Sequence, residues 1–175
     1  MTKIIFSRHA NAAGAAEGQT DRQRLLSDKG REQAQAALEQ LTKLGFIPDL
    51  VIASDALRAV ETASILGGTD KIAELSELYY LPSDPEDAAA MSALFSKLGV
   101  ATLEAFRTEN KDLMDRHGQL GAEAIKRLIA ETGAKTILVV GHGVTINAAA
   151  AVFSEDSAVL STVLGEAENL IVELA

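Results

Sequence analysis

Apolar positions along the chain fall into two rhythms. Short unbroken runs read as buried strands, and longer stretches with apolar residues three and four apart read as helices. Lys3-Ile4-Ile5-Phe6-Ser7 predicts a strand over 3–7. Residues 10–26 carry no period and form a long loop of the kind that tends to be functional or mobile. Ser27 is placed as a helix N-cap, with Ala34, Leu38 and Leu41 on one face, Gly45 at the stop and Pro48 beyond it. A second strand over Asp49–Ala53 leads into a helix through Leu66, closed by Gly67-Gly68, and Ile72–Leu75 reads as a brief third strand. Asp84-Pro85-Glu86-Asp87 combines an N-cap, a proline at the first helical position and acids at the positive end of the helix dipole, so a helix runs from there to Leu98 and Gly99. Helices follow at 102–116 and Gly121–Thr132. Thr136–Val140 is apolar and β-branched at most positions, as a central strand is. A helix through Ala151 follows it, and Asn169–Leu174 reads as a terminal edge strand. Strands alternating with helices define an α/β class, a three-layer α/β/α sandwich with a mostly parallel central sheet, in one domain spanning 1–175.

Composition narrows the functions this fold could carry. At 175 residues, 47% hydrophobic and 23% charged, the chain has the balance of a globular protein with a full core. Its net charge of −9 disfavours nucleic acid and anionic membrane surfaces as partners, because both reward clustered cations. There is no cysteine, which removes disulfides, thiolate catalysis and cysteine zinc sites, and fits a reducing cytoplasm. No stretch approaches the length of a membrane span, and no leader pattern opens the chain.

The polar residues that interrupt this pattern sit where the strands end. The first strand runs into Arg8-His9, the second ends before Ser54 with Arg58 about one helical turn on, and the strand at 136–140 ends at Gly141-His142-Gly143. In an open parallel sheet, ligands bind beyond the carboxyl ends of the strands. Two guanidiniums and two imidazoles gathered there would repel one another unless they surround a dianion. Arginine forks match phosphate oxygens, and neutral imidazole can attack phosphorus. No Walker-type glycine loop or acidic metal cradle accompanies them, and the arginines would oppose a metal held by the histidines, so no cofactor or metal is expected.

In order, "SRHANA", "LSDKGREQA", "VIASDALRAVETA" and "VVGHGVTIN" resemble the motifs of the histidine phosphatase superfamily, the phosphoglycerate-mutase-like fold. That family shows Arg-His-Gly after the first strand, Leu-Thr/Ser-x-x-Gly-x-x-Gln-Ala at the first helix, Ser-x-x-x-Arg-x-x-x-Thr-Ala after the second strand and a late Gly/Ser-His-Gly. The resemblance spans residues 3 to about 150. It implies that His9 is the nucleophile, that Arg8 and Arg58 bind the phosphoryl oxygens, and that His142 stabilises charge on the transferring group. Arg24 lies where small phosphohistidine phosphatases of the family carry an Arg-Pro-Leu-Thr, and would add to phosphate binding. Glu77 follows Leu75-Ser76 in the context where many members place a general acid, with Glu74, Asp84 and the loop acids as lesser candidates. Ser54 reads as structural.

Ala10 stands where the family usually has glycine. It is harmless if the position needs only a small residue, and costly if it needs a positive φ. Arg116-His117-Gly118 repeats the Arg-His-Gly string but follows no strand. It reads as the end of a polar helix capped by Gly118, with no catalytic role. Each of the four residues alone has an ordinary reading, as a satisfied histidine or a surface ion pair. Their order in one chain outweighs it. The expected function is a metal-independent phosphatase acting through a phosphohistidine intermediate on a small phosphomonoester or on a phosphohistidine, the partner being a phosphorylated small molecule or, in the second case, a phosphoprotein. A phosphoglycerate-type mutase and a phosphate-binding module with little turnover are the alternatives. Substrate identity and oligomeric state are not legible.

Overall fold

A computed structural model describes residues 1–154 and 156–174. Among the described residues the strands form one five-stranded sheet in the order β3-β2-β4-β1-β5. They are β1 (Thr2–Arg8), β2 (Leu50–Ser54), β3 (Ala73–Leu75), β4 (Thr136–Gly141) and β5 (Asn169–Leu174). The pairs β1–β4, β2–β4 and β2–β3 are parallel, and β5 closes one edge antiparallel to β1. β4 is central, as its run of buried apolar residues requires. The second and fourth strands start in register because the Asp49 carboxylate accepts the backbone N–H groups of Lys135 and Thr136 at 3.0 Å.

Alternation along the strands builds the three layers. Ile4, Phe6, Ile52, Ile137 and Val139 pack with Ala124 and Ile125 of α4 (Leu103–Thr132) and Ala149 of α5 (Gly143–Ala150). Their neighbours Ile5, Val51, Ala53, Leu138 and Val140 face the other way, onto Ala34 and Leu41 of α1 (Asp28–Lys43) and Ala63 and Leu66 of α2 (Leu57–Gly67). A third cluster lies beside the sheet, where Met91 and Leu94 of α3 (Pro85–Leu98) meet Phe106, Met114 and Val144. A short helix, α6 (Ser157–Ser161), which the sequence pattern does not announce, precedes β5.

The long helix departs from the sequence pattern, which splits it near Gly118. Instead α4 bends at Asn110 (φ −152°, ψ 82°), whose side chain caps the second half by accepting the Leu113 N–H at 3.1 Å. Gly118 is therefore not a helix cap. A Cβ there would lie 2.5 Å from the Ala148 carbonyl oxygen, so the glycine lets α4 and α5 touch backbone to backbone. His117 is correspondingly buried mid-helix, not exposed at a helix end.

Candidate active site

The parallel strands bring their carboxyl ends to one edge, and a cavity of about 350 Å³ opens there. Arg8, His9, Arg58, His142 and Arg24 all line it. Glu77 does not. It sits on a 3₁₀ turn over Ser76–Leu78, where its carboxylate accepts the Ser76 hydroxyl at 3.4 Å.

The family-like motifs hold these side chains through backbone contacts. Gly30 is the clearest case. A Cβ there would stand 2.0 Å from the Asn11 carbonyl oxygen, so the segment after His9 rests directly on the first turn of α1. Ser27 caps that helix by accepting the Gly30 N–H at 3.0 Å and donates to the Asn11 side-chain oxygen at 2.6 Å. Gln33 accepts the Asn11 N–H at 2.9 Å. Thr62 of α2 accepts the Ala10 N–H at 3.1 Å while donating to the Arg58 carbonyl at 2.7 Å, tying the segment after His9 to the helix that carries Arg58. Ala10 itself is fully buried, and among the described residues Ala167 is the one non-glycine with positive φ. Position 10 therefore asks for small size and not for glycine's backbone freedom.

Hydrogen bonding fixes the state of His9. Its Nδ1 lies 2.7 Å from the Ala10 carbonyl oxygen, which can only accept, so the ring proton is on Nδ1. Nε2 keeps its lone pair and receives Arg58 Nε at 3.3 Å. Burial first, then the charges of Arg58 and Arg8, pull the His9 pKa down to about 4 against the Ala10 contact. The imidazole is neutral at physiological pH, as a nucleophile must be.

His142 stands with its ring 5.0 Å from that of His9. Ser54 Oγ lies 2.8 Å from its Nε2, and Arg58 Nη2, a donor only, faces its Nδ1 at 3.5 Å. That places the ring proton on Nε2, toward the buried serine. Burial and then the nearby His9 and Arg58 hold its pKa well below the usual imidazole value. Ser54 is structural in the sense the sequence implied, and its task is to orient His142.

The two arginines differ. Arg58, almost wholly buried, donates to the Asp21 carbonyl at 2.7 Å and the Asp21 carboxylate at 2.8 Å. Arg8 donates Nη1 to the Leu164 carbonyl at 3.0 Å, and its buried Nε has no partner among the described residues. Asp21 is the main residue that sequence reasoning passed over, ranked only among the loop acids. The loop over 10–26 is pinned by bonds from Ala13 N to Leu25 O at 2.9 Å and Ser27 N to Asn11 O at 3.0 Å, and a 3₁₀ turn at Asp21–Gln23 hangs from it. Asp21 also accepts from Arg24 at 2.9 Å and from the Tyr79 hydroxyl at 2.7 Å. These donors outweigh desolvation and bring its pKa to about 2. Arg24, placed for phosphate, thus spends its guanidinium on Asp21 and on the Ala13 carbonyl at 2.8 Å. Tyr79, Tyr80 and Phe95 were also missed; Tyr79 and Tyr80 set their rings 5.4 and 5.5 Å from that of His142. The apolar periodicity around them offers no signal of that placement.

Glu166 completes the rim. It accepts Asn11 Nδ2 at 2.8 Å and Gln33 Nε2 at 3.0 Å, and these bonds keep its pKa below the usual carboxylate value despite burial. Among the described residues no group of three or more histidine or acidic side chains is arranged to hold a metal ion, and no helix is long and apolar enough to cross a membrane.

A sequence profile of the histidine phosphatase superfamily, branch 1, matches residues 4–158. A glucosyl-3-phosphoglycerate phosphatase of Mycolicibacterium vanbaalenii is 44% identical over 71 residues, covering 38% of this chain and 30% of that protein. The mitochondrial serine/threonine-protein phosphatase Pgam5 of Drosophila grimshawi is 43% identical over 63 residues, 36% of this chain and 21% of that protein. The matched stretch is thus less than a third of either relative. Among solved structures, the fold resembles the protein histidine phosphatase SixA complexed with tungstate, with a TM-score of 0.68 at 18% identity over 98% of this chain and 88% of that one. It also resembles the phosphoserine phosphatase of Entamoeba histolytica in complex with 3-phosphoglyceric acid, with a TM-score of 0.66 at 20% identity over 98% and 90% of the two chains.

Proposed function

The chain belongs to the histidine phosphatase superfamily, and from that premise we propose that it is a cytoplasmic, metal-independent phosphatase whose nucleophile is His9. The observation that carries the reading is the tautomer of that residue: its proton is committed to the Ala10 carbonyl, and its Nε2 keeps a lone pair at a cavity lined by three guanidiniums, those of Arg8, Arg24 and Arg58, and a second imidazole. His9 Nε2 attacks phosphorus, the bond to the leaving group breaks, and the phosphoryl group rests on the imidazole. Water then attacks phosphorus, releasing phosphate and restoring the neutral ring. Arg8 and Arg58 neutralise the phosphoryl oxygens in both steps, with His142 beside them, so the cationic charge that a metal would supply is already built in.

The acids bordering the cavity refine the substrate class. An alkoxide leaving group needs a proton from a nearby acid, whereas imidazole and phenolate depart far more readily without one. Asp21 and Glu166, the carboxyls lining the cavity, are both held ionised by their hydrogen-bond donors. The site therefore favours phosphorylated imidazole or aryl esters over alkyl phosphates.

Two measurements test the reading. Turnover of an aryl phosphate persists in EDTA, and rapid alkaline quenching traps a phosphorylated imidazole that maps to His9. His9→Ala lowers turnover by roughly 10⁴-fold or more while the circular dichroism spectrum is unchanged. Retained turnover in that variant, or phosphate trapped at another residue, removes His9 from the mechanism.

A further inference from the structure

A second recess opens beside the phosphoryl cavity and shares Arg8, Phe95 and Gly143 with it. Its volume is about 160 Å³, close to the roughly 150 Å³ of an apolar protein cavity that accepts benzene. Phe95, Ala101, Phe106, Val144, Val163 and Leu164 supply its apolar lining. Val100 and Val163 stand exposed at this recess, a placement that leaves apolar surface in water until something covers it.

The recess is not uniformly apolar. Asn147 of α5 lines it and is 1% exposed. Its Nδ2 donates to the Val159 carbonyl at 3.1 Å and the Thr162 carbonyl at 2.9 Å, which fixes the amide orientation. Its Oδ1 is buried and has no partner among the described residues. Buried acceptors are nearly always paired in folded proteins, and an unpaired one costs about 1–3 kcal/mol. The unpartnered Nε of Arg8 borders the same space.

Resting on the phosphatase reading above, we propose that this recess is the leaving-group subsite and that it takes a single compact ring carrying an N–H or O–H donor. The phosphoryl group lies against Arg8 and the histidines. The ring lies against Phe95, Gly143 and Val144, and a small shift of the side chains over the buried Asn147 Oδ1 lets its donor meet that acceptor. A long polar leaving group such as a sugar finds mostly hydrocarbon here, with Arg8, Asn147 and Thr162 the polar side chains that line the recess.

Competition by phosphonates, which bind without turnover, separates the subsite from the chemistry. Inhibition constants are measured for orthophosphate, methylphosphonate, phenylphosphonate, and the 3- and 4-hydroxyphenyl and matching methoxyphenyl phosphonates, against aryl phosphate hydrolysis. Phenylphosphonate binds about tenfold or more tightly than methylphosphonate, in keeping with burial of a ring. At least one hydroxyphenyl compound binds several-fold tighter than its methoxy counterpart, as expected for a donor reaching a buried acceptor. Ala101→Phe fills the recess and abolishes the phenyl preference without moving the orthophosphate constant. The exposed Val163→Gln, which carries little folding risk, reduces the preference. If phenyl- and methylphosphonate compete equally while orthophosphate still inhibits, the recess is no subsite and the phosphatase reading stands. Equal affinity of the hydroxy and methoxy compounds removes Asn147 from the proposal. If the protein neither turns over aryl phosphate nor binds orthophosphate, the phosphatase reading fails and takes the subsite with it.

Discussion

The floor of the site and its wall are built on different principles. The floor is the sheet edge: His9, Arg8 and His142 emerge from β1 and β4, and Arg58 from the first turn of α2. Each is fixed by bonds to backbone or to buried hydroxyls, such as His9 N to Gly141 O at 2.9 Å and Ser54 to His142 at 2.8 Å. The wall is Asp21, Arg24 and Tyr79, which reach in from loops and hold mostly one another. The floor presents cations and a lone pair. The wall presents a carboxylate that already occupies the fork of Arg58. The resting site thus contains an internal anion in the grip of the guanidinium to which the proposed mechanism gives the phosphoryl oxygens, and under that mechanism substrate displaces it or shares it.

The harshest way to break this arrangement is to remove the residue common to both regions. Arg58→Ala takes a guanidinium from the floor and the principal counter-ion from Asp21. The expected loss in kcat/KM is about 10²–10³-fold, typical of deleting a preorganised charge on a transferring group. Arg58→Lys recovers little of it, because an ammonium cannot bridge His9, Asp21 and an oxygen at once. A loss below about tenfold would mean that Arg8 alone binds the phosphoryl group.

The floor is also distinguished by how it titrates. His9 has a folded-state pKa of about 4 against an ordinary 6.5. Between those values the unfolded chain binds a proton at position 9 that the folded protein refuses, so stability falls as pH falls through that window and the contribution is complete above it. In an NMR titration of the free protein, the His9 ring resonance is expected to have its midpoint near 4, with His142 also titrating well below the usual imidazole value because it is buried. A midpoint near 6.5 would mean that the ring is more hydrated than its burial indicates. Dianion binding has the opposite sign and raises the midpoint, because it stabilises the imidazolium.

Asp21→Asn sharpens the comparison from the side of the wall. The amide still accepts from Arg58 and Tyr79 but carries no charge, so repulsion of the incoming dianion falls. Phosphate inhibition should strengthen by about tenfold at low salt and less at high salt. The melting temperature without ligand should drop, because a buried guanidinium loses its counter-ion, and added phosphate should restore more stability than in the parent protein. Weaker phosphate inhibition would make Asp21 an organiser of Arg58 instead of its competitor.

The same division explains what could be read from the sequence. Strand and helix periods give the sheet and its layers, and four short motifs give the floor, because each motif residue is demanded by a local backbone contact. Gly30 against the Asn11 carbonyl and Thr62 under Ala10 are examples. The bend in α4 was misplaced because glycine at 118 signals a helix end in the sequence, whereas close packing on Ala148 is a tertiary demand. The wall was hardly legible at all. Asp21 and Tyr79 are 58 residues apart and meet only through loop conformation, which carries no period. Arg24 lines the cavity, and its pairing with Asp21 depends on the same loop conformation.

Glu77 is where this illegibility had a consequence, and its replacement is expected to do least. The family-like context puts an acid just after β3, and the chain supplies a glutamate there. The 3₁₀ turn at Ser76–Leu78, however, sends Leu78 into the core and leads Tyr79 and Tyr80 to the site, while Glu77 meets the Ser76 hydroxyl away from the cavity. Glu77→Gln should therefore change kcat/KM by less than about twofold for aryl phosphates. The sharper measurement is a series of leaving groups of rising pKa. A general acid matters more as the leaving group becomes more basic, so loss of one steepens the dependence of log kcat/KM on leaving-group pKa. Parent and variant lines that coincide from phenyl to alkyl phosphates leave Glu77 outside the chemistry. A gap that opens toward the alkyl end would show that the turn re-forms around bound substrate and delivers the glutamate after all.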